Sequence, residues 1–318
     1  MGKGFIGSRQ TTLASEVVLT GTGVHSGAPV SITLHPADAN TGIRFIIMDG
    51  DEIKADIAAD YRSVENVTLC TVLGDGNGGT VSTVEHLLAA FRGLSVDNAT
   101  VEIDNAEVPI MDGSAAPFVD AIDEAGICEL HEPRRFIKVL KPIRVEDGDC
   151  WGELLPHSGF HVDVEINFDT PFIGRQRRSM EMNPGAFRAE LSKARTFGFM
   201  KDVERLWAVG RALGASLENT VALGEDRIIN PEGLRYEDEF VRHKMLDAVG
   251  DMALAGSPML CAYRSRRGGH RLNSLMLNAL FADQDAWCVL QAPHTTREAA
   301  HAGVPVGVAA VNYAADQS

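Results

Sequence analysis

Five cysteines in 318 residues, Cys70, Cys128, Cys150, Cys261 and Cys288, with no C-x-x-C spacing among them, are too few and too scattered for a disulfide framework or a thiolate zinc knuckle. Most are expected to be small buried hydrophobes. Basic charge is also scarce: 29 Lys and Arg against 44 Asp and Glu leave a formal net charge of -15. Nucleic acid is excluded as a partner, because its phosphates demand a basic surface. Tight docking on anionic lipid is disfavoured for the same reason. No apolar run approaches 18 residues, and the opening MGKGFIGSRQ has no apolar leader core. A soluble, cytoplasmic protein without stable membrane insertion is expected.

With 45% hydrophobic residues the chain can bury two modest cores, and two domains are expected. Residues 15–48 alternate as strands do, in VSITLHP and IRFIIMD. Residues 71–82 read as a hairpin with a GDGNGG tip, which lacks the acidic ligands of a calcium loop. Helices are expected at about 83–93 and 114–125. The polar, proline-containing HEPRR at 131–135 separates this block from strand-like runs at 136–146 and 160–168. Helices are expected again near 184–194 and 237–255. The resulting division is 1–131, 136–292 and a tail at 293–318.

The stretch VRHKMLDAVGD, 241–251, carries the clearest chemistry. At ~100° per residue, His243, Lys244, Asp247 and Asp251 share one helical arc, and Val241, Met245, Ala248, Val249 and Met252 share the opposite one. An imidazole and a carboxylate four apart can reach one cation, although a lone H-x-x-x-D is more often a solvated ion pair. In STVEHLLAAFRG, 82–93, Val84, Leu87, Leu88 and Phe91 form an apolar stripe, with Glu85 and His86 off it. Ser82 and Glu85 also fit a capping box, in which the Glu returns to the helix N-terminus. Together the two segments offer three metal ligands and a neighbouring carboxylate, the inventory of a hydrolytic zinc site. His270, beside the glycine pair in RRGGHRLN, is either a surface loop histidine or a general acid.

TVEHLLAA, AEVPIMDGSAAPF, KARTFGFMKDVERL, LRYEDEFVRHKMLDAVGD and GHRLNSLMLNAL occur in this order. With LTGTGVHSG at 19–27, the set closely resembles the UDP-3-O-acyl-N-acetylglucosamine deacetylase family, zinc enzymes that commit bacteria to lipid A synthesis. The resemblance runs to about residue 292. It implies an α+β fold of two similar domains, each a sheet packed on helices, with the helical layers face to face and the active site between them. It further implies that His86, His243 and Asp247 hold Zn²⁺, or Fe²⁺, which can occupy similar N/O sites. Glu85 is then the general base, Thr196 an oxyanion donor and His270 the acid that protonates the leaving amine. Asp251 partners His270, and Lys244 answers developing negative charge.

The substrate implied is a small UDP-acyl-amino-sugar. Phe197 is expected against the sugar or the start of the acyl chain. Met200, Val203, Leu206, Ala215 and Leu217 are expected along an acyl passage; the competing reading is an ordinary amphipathic helix packed on its own domain. Where some family members carry a lysine after EDGD, this chain has Cys150. Arg264, Arg266 or Arg267 in the arginine-rich loop is therefore expected to meet the diphosphate. Cys70 lies in a segment that the family places near the metal. Two other classes stay open: a metal amidohydrolase acting on another acylated amino sugar, and a binding protein that has lost turnover.

Overall fold

The computed structural model of the chain describes residues 7–170 and 172–293. The expected tail lies outside the described residues beyond Pro293, as do residues 1–6. The fold is α+β. In the first half, five strands lie in the order Val17–Thr22, Pro29–Pro36, Ala99–Ile103, Ile43–Asp49, Glu52–Ala58. All neighbours are antiparallel except Ala99–Ile103 and Ile43–Asp49, which run parallel. The alternation read in VSITLHP is real: Val30, Ile32 and Leu34 are buried on one face of their strand. The 71–82 segment forms the expected hairpin, Val72–Gly74 against Thr80–Ser82.

Two helices cover this half, α1 (Glu85–Gly93) and α2 (Ala116–Ala125). The chain then changes sheets at Arg134: Ile127–Pro133 pairs back onto Arg9–Leu13, whereas Arg135–Val139 pairs with Met259–Arg266 and Trp287–Gln291. Met259–Arg266 is central to the second, seven-stranded sheet, between Cys150–Pro156 and the parallel strand Phe160–Asn167. The helices here are α3 (Pro184–Glu190), α4 (Met200–Ala208), α5 (Glu239–Ala253) and α6 (His270–Ala282). No helix among the described residues is long and apolar enough to cross a membrane.

The two helical layers meet where α1 packs on α5. Val84, Leu87, Leu88 and Phe91 are fully buried, as the stripe requires. Each such side chain contributes roughly 1.5–3 kcal/mol by leaving water. The opposite face of α1 is buried as well, because α5 lies against it, and 13 of the 15 residues of α5 are buried in turn. Gly250 makes this approach possible: a Cβ there would collide with the backbone carbonyl of Glu85. Side chains that an isolated amphipathic helix would give to solvent are thus shut into a seam between helices, where a buried charge must find a partner.

Candidate metal centre and its cavity

His86 comes from α1, and His243 and Asp247 from successive turns of α5. They meet in the seam with one ligand atom each, all within 4.8 Å of one another. His243 Nε2 lies 3.3 Å and His86 Nε2 3.6 Å from the same Asp247 Oδ1. His243 donates its Nδ1 proton to the Ala194 carbonyl oxygen at 3.0 Å, so the Nε2 lone pair faces the cluster. Burial pushes His243 down to about 3, against the pull of Asp247, and the ring is neutral near pH 7. Burial alone would raise Asp247; His243, Lys244 and His86 outweigh it and hold the carboxyl well below its usual range. Asp247 Oδ1 is nevertheless buried without a hydrogen-bond partner. A buried carboxylate oxygen that faces two imidazole nitrogens and has no hydrogen-bond donor fits a metal ligand, and the set of two nitrogens and one oxygen suits zinc.

A second buried network stands beside the cluster. Glu85 Oε2 accepts the backbone N–H of Thr71 at 3.1 Å, and Oε1 lies 3.7 Å from His270 Nε2. His270, the first residue of α6, bonds Asp251 Oδ2 through Nδ1 at 2.8 Å. Asp251 also accepts the Thr71 hydroxyl at 2.7 Å and the Asn273 amide at 2.8 Å; Asn273 is held in turn by the Tyr263 hydroxyl. Burial would lower His270, but Asp251 and Glu85 raise it to about 9, so it is an imidazolium near neutrality. Burial raises Glu85, tempered by His270 and His86. A carboxyl and an imidazolium thus lie side by side, 3.7 Å apart, on the wall of one cavity. Lys244 donates to Asp247 Oδ2 at 2.8 Å; burial would lower it, and Asp247 outweighs that and raises it.

The cluster forms the polar end of a cavity of about 730 Å³, within the range of small-molecule sites. Thr196 and Phe197 line it next to the cluster, and Phe197 lies 6.3 Å from the His243 ring and 5.7 Å below Lys244 Nζ. Met200, Val203, Leu206, Ala215 and Leu217 line its apolar wall. Helix α4 buries no residue at all, so the reading of it as a helix packed on its own core fails; its apolar side faces the cavity instead. The wall is fixed by short segments: Phe197–Phe199 pairs in parallel with Val221–Leu223, and Thr196 N–H donates to the Gly113 carbonyl at 2.8 Å. Gly113 sits at φ 82°, and a Cβ there would strike the Asn219 carbonyl oxygen, which accounts for the glycine in MDGS.

Three expectations are corrected. The capping box does not form: Ser82 ends a strand and donates to the Ala106 carbonyl, α1 has no side-chain cap, and Glu85 turns into the seam. Arg266 is not brought to the cavity. Tyr263 and Ser265 take the inward positions of their strand, so Arg264 and Arg266 alternate to the outer face, where they meet Asp163 and Glu165. Arg267 reaches only toward Asp149, at 4.0 Å. Of the cysteines only Cys70 and Cys261 are buried; Cys128 is exposed, and Cys150 and Cys288 are half-buried. Cys70 does line the cavity, its thiol pushed up to about 12 by burial and by Glu85. Missed altogether were Thr71, Asn273 and the Ala194 carbonyl, which orient groups that the motifs did show.

An α+β fold with a buried His–His–Asp cluster, a neighbouring Glu–His pair and an apolar cavity defines a metal-dependent hydrolase of an acylated amine. The chain belongs to the UDP-3-O-acyl N-acetylglycosamine deacetylase family, whose profile matches residues 10–282. It is 51% identical over 284 residues to the UDP-3-O-acyl-N-acetylglucosamine deacetylases of Brucella ovis and Brucella abortus, spanning 89% of this chain and 99% of each relative. The enzyme of that name from Brucella melitensis is 50% identical over the same spans.

Proposed function

We propose that this protein is a zinc-dependent hydrolase that removes the N-acetyl group from UDP-3-O-acyl-N-acetylglucosamine, releasing acetate in the committed step of lipid A synthesis. The supporting observation is the convergence of His86, His243 and Asp247 on one point, with Asp247 Oδ1 lacking any donor, at the polar end of an apolar cavity. The reading places the protein in the cytoplasm. It divides the chain into units of 1–131 and 136–292, each contributing one side of the site.

His86, His243 and Asp247 are the residues that would hold the metal. When bound, Zn²⁺ polarises the amide carbonyl and lowers the pKa of a water toward ~7. Glu85, whose pKa burial raises, is placed to accept the water proton, with Thr71 N–H fixing one of its oxygens. Thr196 lines the same space and offers its hydroxyl to the developing oxyanion. His270 holds a proton at Nε2, because Nδ1 is bonded to Asp251, and that proton goes to the departing glucosamine nitrogen. Lys244 adds positive charge at the rim, and Phe197 gives the sugar a flat apolar surface.

The 3-O-acyl chain is assigned to the wall of Met200, Val203, Leu206, Ala215 and Leu217. Each methylene buried there contributes ~0.8 kcal/mol. Acetate release should be assayed on the long-acyl substrate and on UDP-N-acetylglucosamine without the acyl chain. The reading predicts kcat/KM higher by several orders of magnitude for the first; equal values would favour an amidohydrolase of another amino sugar.

A further inference from the structure

On the outer face of the second sheet, away from the catalytic seam, two imidazoles and a carboxylate meet. Val162, Val164 and Ile166 of Phe160–Asn167 enter the core, so His161, Asp163 and Glu165 alternate outward. The antiparallel neighbour, Arg175–Glu181, sets Glu181 directly opposite His161 and Ser179 opposite Asp163. Asp163 and Glu165 are taken by arginines, Arg177 and Arg264 for the first, Arg175 and Arg266 for the second. Glu181 instead receives two imidazoles: Oε1 lies 2.7 Å from His157 Nε2 and 3.1 Å from His161 Nδ1. His161 Nε2 bonds the Ser179 hydroxyl at 2.8 Å, which leaves Nδ1 for the cluster. Gly159 lies in the turn between the two histidines, where a Cβ would stand 3.2 Å from Glu181 Oε2. The three ligand atoms lie within 4.8 Å of one another.

We propose that His157, His161 and Glu181 form a second metal site, for Zn²⁺ or another divalent ion that favours imidazole. Tetrahedral zinc with bonds of ~2.0–2.1 Å sets its ligand atoms roughly 3.3 Å apart, so side-chain shifts of about half an ångström bring the two observed contacts to that spacing, with water in the fourth position. The side chains are 28–53% exposed, so an ion enters without unfolding anything. Ser179 supplies the outer-shell bond that orients a ligating histidine. Bound metal would pin the 157–159 turn to the edge strand.

The test is equilibrium dialysis of metal-loaded enzyme against Zn²⁺, comparing the wild type with H161A and E181Q. The wild type should retain one more zinc per chain than either variant, while deacetylase turnover in all three stays alike and reports intact folding. Zinc bound elsewhere cancels in the difference. Ser179→Ala should weaken this extra ion about tenfold or more. Electron paramagnetic resonance of Cu²⁺ added to the metal-loaded enzyme should show two coordinating nitrogens, falling to one in H157A. Equal zinc content in wild type, H161A and E181Q, or a copper spectrum indifferent to H157A, would overturn the site.

Discussion

Thr71 donates its backbone N–H to Glu85 and its hydroxyl to Asp251, so one residue steadies both the proposed base and the partner of the proposed acid. The division of labour between these groups gives two predictions. Converting Glu85 to Gln should leave metal content near that of the wild type, because the proposal makes Glu85 a base and not a ligand, while kcat falls roughly 10²–10⁴-fold through loss of general-base catalysis. Near-normal turnover in E85Q would remove Glu85 from the chemistry. The pH profile follows from signs. In the proposed mechanism His270 must be protonated to expel the amine; burial would lower its pKa, but Asp251 and Glu85 raise it to about 9, so activity should be lost as pH rises through that value. The acidic limb reports Glu85, raised by burial, and activity is lost as pH falls through it. Asp251→Asn should therefore move the basic limb of kcat/KM downward and leave the acidic limb in place; a basic limb that does not move would mean that another group delivers the proton. The groups on helical motifs were legible in the sequence, since a period of 3.6 sets His243, Asp247 and Asp251 on one face. Thr71 was not, because its bond to Asp251 spans 180 residues and no local spacing announces it.

At the scale of elements, α1 and α5 depend on a contact that only glycine permits. Gly250→Ala should push the helices apart, cost about 1–3 kcal/mol as overpacked cores do, and lower metal affinity with Tm; thermal unfolding of the loaded protein measures it, and an unchanged Tm would show that the crossing tolerates a methyl. Helix α4 is the other informative element. Its residues look amphipathic in sequence, and only the structure shows that its apolar side faces an open cavity. Ala215→Trp should raise KM for the long-acyl substrate far more than for a shortened one; equal effects would make the wall mere scaffold. Strand reading succeeded where one face enters a core, as at Val30, Ile32 and Leu34. It failed at Arg266, because an arginine-rich loop in the sequence is a continuing strand in the fold, and alternation turns the charge away from the cavity.

For the molecule as a whole, each half supplies what the other lacks: α1 brings His86 and Glu85, while α5 and α6 bring His243, Asp247, Asp251 and His270. That arrangement came from resemblance and not from periodicity, which cannot tell which helices meet across more than a hundred residues. The seam is also why the capping box failed, since a Glu at a buried helix start is drawn to the partner half. The proposed chemistry needs a metal held between the halves by His86, His243 and Asp247. Stripping the protein of metal and titrating Zn²⁺ back while measuring acetate release from the acylated substrate tests that directly. Activity should vanish on removal and return in full at one equivalent bound in the seam, with H243A failing to recover; full activity in rigorously metal-free protein would contradict the mechanism.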